Sequence, residues 1–233
     1  MIQFFVHNMD SSNALLQADE FHHCIKVLRH QVGDTIPICN GKGLTGSARI
    51  DKIAKQEAHL QVLDVTEHAA KDYKLTLVVA PPKTRARWEW LVEKSVEIGV
   101  TDIIPLITQR SERQKVNLDR SRKVMRSAAL QSLRPFHPVM HELQHYDKVI
   151  PQITRDHKAN YIATYRLENK NLYNLKEKST HSSILVGPEG DFTESEISGA
   201  IEGGYMPVNI SQNRLRTETA AIVACTILAR IIP

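Results

Sequence analysis

The chain has 233 residues, of which 42% are hydrophobic and 24% charged, and a formal net charge of +4. That apolar share excludes a disordered chain, and ten glycines with ten prolines exclude a collagen-like or low-complexity one. The length is about one and a half times a typical domain of roughly 150 residues, so one large or two modest domains fit, with core enough to fold without staples.

The first 70 residues read mostly as β. A short helix is expected around Ala18–Leu28, with Cys24, Val27 and Leu28 on one face. Thr35–Cys39 follows as a strand, and Asn40-Gly41-Lys42-Gly43 as turn chemistry. The stretch through Leu60, Val62 and Val65 alternates as a half-buried strand does. The character then changes, and a domain boundary is expected near residues 68–74, dividing 1–70 from 71–233. Leu75–Ala80 is a continuous apolar run, the mark of a strand buried on both faces, and Pro81-Pro82 stops it. Arg87–Ile98 reads as a helix with Gly99 at its C-terminal cap. Asp102–Ile107 is the next strand and Asn117–Leu133 the next helix, ended by Pro135. Tyr161–Thr164 and Ile184–Val186 are short strands. Thr193-x-x-Glu196 is a capping box that opens a helix running to Gly203-Gly204. Pro207–Ile210 is a last strand and Thr217–Ile231 a last helix. Strands alternating with helices imply a parallel α/β sheet covered on both faces.

Cys24, Cys39 and Cys225 are odd in number and form no CxxC pair, which argues against a disulfide framework or a zinc ribbon. His22, His23, Cys24 and His30 fit no tetrahedral spacing, so no metal is expected. The beginning MIQFFVHNMD lacks the basic and long apolar regions of a signal peptide. The apolar stretch Ala220–Ile232, broken by Thr226 and Arg230, is too short for a membrane span of about 20 residues. A cytoplasmic location is therefore expected.

Charge is unevenly placed. Between Gln109 and Arg134 stand eight Lys/Arg against Glu112 and Asp119, a net +6 in 26 residues. Such clustering is either a footprint for phosphate groups or a solvated helix face. Gly41-x-Gly43-x-x-Gly46 matches the dinucleotide fingerprint in letters, with Asp64 downstream, but lies in a β-rich region rather than between a strand and a helix. A hairpin loop is the expected reading. No nucleophile elbow and no P-loop are present.

Two later loops carry more. Leu185-Val186-Gly187-Pro188-Glu189-Gly190-Asp191-Phe192 follows an apolar strand and precedes a capped helix, the place where ligands bind in α/β folds. Ile210 to Ala220, ISQNRLRTETA, runs from the last strand into the last helix. There Thr217 as N-cap and Glu218 in the first turn account for two residues but leave Arg214 and Arg216 unexplained.

Together the loops resemble the cofactor loops of the trefoil-knotted SPOUT methyltransferases. More narrowly, the chain resembles the RsmE family of bacterial small-subunit rRNA uridine-N3 methyltransferases over nearly its whole length. The N-terminal match is His23-x-x-x-Val27-Leu28-Arg29, Val32-Gly33-Asp34 and Asn40–Gly43. In the middle it is Lys94-x-x-Glu97-Ile98-Gly99-Val100, Arg110-Ser111-Glu112 and Gln131-Ser132-x-Arg134. The most specific matches are Gly187–Gly190 and Leu215–Ala220. Asp191, Ser211 and Arg214 depart from the family pattern, which has glycine, a Leu-Gly pair and an aliphatic residue there.

The resemblance implies a knotted α/β methyltransferase domain with a smaller, β-rich, PUA-like RNA-binding domain before it. It also implies a homodimer, S-adenosylmethionine as cofactor, and small-subunit rRNA or the assembled subunit as substrate. Cofactor contacts would come from Thr164, Leu185, Gly187, Pro188, Gly190, Ile210, Ser211, Leu215 and Thr217. Arg216 would stabilise the developing uracil anion, with Glu218 or Glu189 as proton acceptor, or Glu218 orienting Arg216. RNA phosphates would meet Arg29, Arg110, Arg113, Arg120, Lys123 and Arg126, with Arg134 nearer the target nucleotide. The apolar last helix would serve as core or dimer surface. A ribose 2′-O methyltransferase and a non-catalytic RNA-binding assembly factor are the competing readings.

Overall fold

A computed structural model describes residues 3–10, 12–70, 72–165, 170–175 and 179–231, the side chain of residue 231 excepted. Lys71, inside the expected boundary, and Ile232, in the last apolar stretch, lie outside the described residues. The chain divides into two compact units, one drawn from 1–71 with Ala129–His137, the other from 72–128 and 138–233.

The first unit is built on β1 (Phe4–Phe5), β2 (Asn13–Gln17), α1 (Ala18–Phe21), β3 (Thr35–Cys39), β4 (Leu44–Ile53) and β5 (Glu57–Glu67). The strands form one sheet in the order β1-β3-β4-β5-β2, antiparallel except for β1 beside β3. Inward positions of the alternating strands, among them Leu16, Ile36, Ile38, Ile50 and Leu60, make its core with Phe4 and Cys24. The expected single helix at 18–28 is instead one turn of α1 continued by a π-helix over His22–Val27. The amide of Leu28 bonds the carbonyl of His23 at 2.9 Å, five residues back.

The glycine fingerprint is a hairpin, as its context implied. Asn40 Oδ1 accepts the amides of Lys42 and Leu44 at 2.8 and 3.0 Å, so a side chain closes the turn between antiparallel β3 and β4. Gly46 lies inside β4 opposite Val65, and a Cβ there would sit 2.1 Å from the carbonyl oxygen of Asp64. Its glycine serves a close strand approach. The segment Ala129–His137 belongs to this unit although it is distant in sequence. Gly43 N–H donates to the Pro135 carbonyl and His137 N–H to that of Gly41, both at 2.9 Å.

The second unit holds β6 (Lys74–Val79), α2 (Arg85–Ile98), β7 (Asp102–Ile107), α3 (Leu118–Gln131, whose last turn enters the first unit), β8 (Val139–Met140), β9 (Gln144–His145) and α4 (Tyr146–Asp156). It continues with β10 (Ala159–Ala163), β11 (Lys170–Asn171), β12 (His181–Val186), α5 (Glu194–Glu202), β13 (Met206–Asn209) and α6 (Thr217–Ile231). The sheet is parallel, in the order β11-β13-β10-β12-β6-β7-β8, and β9 extends β7. Leu75 and Leu77–Val79 are fully buried, as a strand covered on both faces requires. One face carries α4 and α5, whose Val149, Ile150, Ile153 and Ile197 pack with Val78, Ile104, Ile162 and Leu185. On the other, α6 packs on β6, β12 and α2. Ala221, Ala224, Cys225 and Leu228 are its fully buried residues.

Local chemistry sets the boundaries. Thr84 caps α2 through the amide of Arg87, Gly99 closes it at φ +113°, and Thr193 with Glu196 forms a complete capping box on α5. No helix among the described residues is long and apolar enough to cross a membrane.

Candidate functional site

Strands β13, β10 and β12 are neighbours and parallel, so their carboxyl ends open side by side. The loops that leave them are residues 163–165, 186–191 and 209–217, and together they line a cavity of about 300 Å³. This is the lower end of the small-ligand range, at the place where α/β sheets bind ligands.

Three side chains tie these loops to one another. Thr164 follows β10 and donates through Oγ1 to Asp191 Oδ2 at 3.0 Å. Thr217 donates through Oγ1 to the carbonyl of Gly187 at 3.1 Å. Arg214 donates to the Glu189 carbonyl at 2.9 Å and lies over the Tyr165 ring, 5.3 Å from its centroid. The 187–191 loop is itself tight. Asp191 N–H closes a turn on the Pro188 carbonyl at 2.9 Å, and a Cβ on Gly187 would meet the Phe192 ring at 3.1 Å.

Most of the expected cofactor residues meet here. Thr164, Gly187, Pro188, Ile210, Ser211, Leu215 and Thr217 all line the cavity, with Glu189 and Arg216. Two do not. Leu185 lies inside β12, paired with Ile162 and fully buried in the core, and Val186 reaches the cavity in its place. Gly190 is exposed beyond the cavity wall, and its carbonyl accepts from Arg110 at 2.9 Å. A strand alternates faces residue by residue, so the side chain one position earlier points into the core.

Thr217 is the first residue of α6 rather than its cap. The Arg216 carbonyl accepts the amide of Ala220 at 2.8 Å, which starts the helix and leaves the exposed Arg216 side chain at the cavity rim. Glu218 does not approach Arg216. Its Oε1 pairs with Arg87 Nε of α2 at 3.4 Å, its side chain is 9% exposed, and Oε2 is buried without a hydrogen-bond partner among the described residues. Glu189 is half-buried, lines the cavity, and accepts the Lys83 amide at 3.1 Å.

The basic stretch is partly internal bracing. Arg110 donates to the carbonyls of Gly190 and Phe192 at 2.9 and 3.2 Å and so holds the outer side of the 187–192 loop. Arg113 donates to the carbonyls of Lys115 and Pro82, and burial lowers its guanidinium below the ordinary value. Arg120 meets both oxygens of Glu89 at 3.3 Å. Lys123 is exposed and Arg126 half-buried on α3. In the first unit, exposed Arg29 takes a left-handed backbone (φ +61°) just past the π-helix, and half-buried Arg134 lies in the segment that joins that unit. Among the described residues no three metal-ligating side chains converge; His30 pairs with Asp34 instead, at 3.0 Å.

Sequence reasoning missed Ala163, Tyr165, Asn209 and Asn213 in the cavity wall. Their signal is position, at the end of a strand for Ala163, Tyr165 and Asn209 and within the last loop for Asn213.

Residues 69–229 match a family model described as an RNA methyltransferase domain, and residues 16–63 one described as an RNA methyltransferase PUA domain. Among curated proteins, the ribosomal RNA small subunit methyltransferase E of Rickettsia conorii is 29% identical over 92% of this chain and 88% of its own. That of Mesomycoplasma hyopneumoniae is 31% identical over 66% and 68%. Among solved structures, a probable rRNA-methyltransferase from Porphyromonas gingivalis is 30% identical with a TM-score of 0.90, covering 99% of this chain and 98% of that one. The small subunit methyltransferase E of Neisseria gonorrhoeae, bound to S-adenosyl methionine, is 26% identical with a TM-score of 0.89 over 100% and 98%.

Proposed function

The chain belongs to the RNA methyltransferase family, in the group of the small-subunit rRNA methyltransferases E, and from that premise we propose that it methylates N3 of a uridine in small-subunit rRNA, using S-adenosylmethionine. The observation that carries this reading is the cavity at the ends of β10, β12 and β13, lined by the two loops whose motifs gave the resemblance.

The wall fits such a cofactor. Ala163, Val186, Pro188, Ile210 and Leu215 offer apolar surface for an adenine ring, and Asp191, Asn209 and Ser211 offer polar partners. Gly187, Ile210 and Leu215 would hold it mainly through the backbone. When bound, it supplies a methyl group already activated on a sulfonium.

The chain must then position the uracil and manage its N3 proton, because the neutral imide nitrogen is a poor nucleophile. Arg216, exposed at the rim, places a cation where the imide anion develops. Of the two candidate carboxylates, Glu189 is the better placed to take the proton, because it lines the cavity. Glu218 is turned to Arg87 and holds α6 against α2. Thr217 sets the angle of the last loop through Gly187. RNA phosphates would be met by Lys123, Arg126 and Arg134, and by Arg29 of the PUA-like unit. The target base must leave any stack to reach the cavity. The active form is proposed to be a homodimer working in the cytoplasm on rRNA or the assembled subunit.

Methyl transfer from labelled S-adenosylmethionine to small subunits lacking the modification, followed by nucleoside mass spectrometry, tests this. The expected product is 3-methyluridine. Arg216→Ala is expected to lower its formation about a hundredfold or more while still binding cofactor. A 2′-O-methylated nucleoside, or no transfer, would overturn the assignment.

A further inference from the structure

Arg214 stands where the family pattern has an aliphatic residue, and helix capping gives it no role. It is exposed and lines the cavity. An exposed arginine ordinarily ranges over many rotamers, and holding it in one costs entropy. Here two contacts hold it, and they reach the other two loops of the cavity. Its guanidinium lies over the Tyr165 ring, 5.3 Å from the centroid, and Nη2 donates to the Glu189 carbonyl at 2.9 Å.

Neither contact neutralises the charge. Arg85, Arg87, Arg120 and Arg122 each meet a carboxylate, and Arg110 and Arg113 each meet two carbonyls. Arg214 has no ion-pair partner among the described residues. The side chain of Glu189 is turned to the Lys83 amide, and that of Asp191 to Thr164 and the Phe192 amide. A guanidinium carries five N–H donors in a flat fork. The Glu189 carbonyl takes one, so Nε and Nη1 keep donors that no described residue accepts. A fork held in place, charged and with donors to spare is matched to a phosphate, which it grips through two nitrogens at once.

We propose that Arg214 holds a backbone phosphate of the target nucleotide and so sets the uridine at the mouth of the cavity. The inference rests on the rRNA-methylation reading above. A nucleotide that enters the cavity brings the phosphates on either side of it to the rim, where Arg214 stands two residues before Arg216. The two arginines then divide the work. Arg216 meets charge that develops on the base during transfer, whereas the phosphate is charged before and after it. Arg214 therefore serves binding of the RNA rather than the chemical step, and its contact positions the nucleotide without reading sequence.

Steady-state methyl transfer to small subunits lacking the modification, across a salt series, tests this beside calorimetric titration of S-adenosylmethionine. Arg214→Gln keeps a donor for the Glu189 carbonyl and removes the charge. It is expected to raise KM for the subunit about tenfold, with kcat within about threefold and cofactor affinity within about twofold. The slope of log kcat/KM against log salt should become shallower by about 0.7–0.9, as for one phosphate. Arg214→Lys keeps the charge and should keep that slope. Arg214→Leu, the aliphatic choice of the family pattern, repeats the test if the glutamine variant folds poorly. Weakened cofactor binding with an unchanged KM for the subunit would overturn the proposal and give the guanidinium to the cofactor's carboxylate. A fall in kcat at unchanged KM would overturn it in favour of a role in the chemical step. Equal losses in the glutamine and lysine variants would overturn it in favour of a brace between loops, and unchanged constants would leave the phosphate elsewhere. No transfer by the unaltered chain would overturn the rRNA-methylation reading itself, and this proposal with it.

Discussion

Glu218, a candidate proton acceptor by sequence, pairs in the structure with Arg87 of α2. A glutamate two positions after an exposed arginine, in a loop of catalytic character, looks like a proton acceptor. Helix geometry turns it inward, because α6 begins at Thr217 and the second helical position faces α2. The pair is asymmetric: Arg87 is 37% exposed and Glu218 9%. Removing the cation strands a buried charge, whereas neutralising the acid leaves only a cation that solvent still reaches. Arg87→Met is therefore expected to lower unfolding free energy by about 1–2 kcal/mol, discounted for solvent at Arg87, and Glu218→Gln by less than about 1 kcal/mol. Urea unfolding of the two variants measures the order. The arginines divide in the same way. Their number was legible in the sequence, but their partners were not, since Arg110 finds its carbonyls 80 and 82 residues away.

At the scale of elements, the strands and helices of the second unit were largely legible because their signals are local. An apolar run, a threonine cap, a capping box and a left-handed glycine each act within a turn of the residue that bears them. Helix α4 was not foreseen. Pro151 stands inside it, removing one backbone donor. The helix persists because Val149, Ile150 and Ile153 are buried against the sheet, so tertiary burial outweighs local propensity. Its end carries a titratable group. His157 Nε2 is 2.7 Å from Thr76 Oγ1 of β6, and burial lowers its pKa from the ordinary 6.5. The fold accepts the neutral ring, so the unfolded chain binds more protons once pH drops below about 6.5, and stability declines there. Unfolding free energy is expected to fall between pH 7 and pH 5, with part of that slope absent in His157→Gln. A slope identical in the two proteins would contradict this origin.

For the whole molecule, the distribution of charge matters more than its total. The excess between Gln109 and Arg134 reads in the sequence as a phosphate footprint or a solvated helix face, and in the structure Arg110, Arg113 and Arg120 are engaged within the fold. Lys123 and Arg126 of α3 belong to the RNA footprint proposed for this segment. Replacing both by alanine is expected to weaken binding of small-subunit rRNA several-fold near 0.1 M salt. It should also make the slope of log K against log salt shallower by about 1 to 2, at roughly 0.7–0.9 for each phosphate no longer neutralised. Filter binding across a salt series reads both. Arg110→Ala should act differently, loosening the 187–192 loop and weakening cofactor binding.

The sequence by itself determined the two-part plan, β-rich before residue 70 and alternating α/β after it. It also determined where most element ends fall and which two loops line the cavity, because turn, cap and hydrophobic-period signals are written within a few residues. Only the tertiary structure decided that Ala129–His137 packs with the first unit, and that Val186 rather than Leu185 meets the cavity. The same holds for Asp191 closing onto Thr164, and for Glu218 belonging to Arg87 rather than to Arg216. Each of these depends on which distant segments the sheet order brings side by side. That order follows from burying both faces of a parallel sheet at once, and no short stretch of sequence contains it.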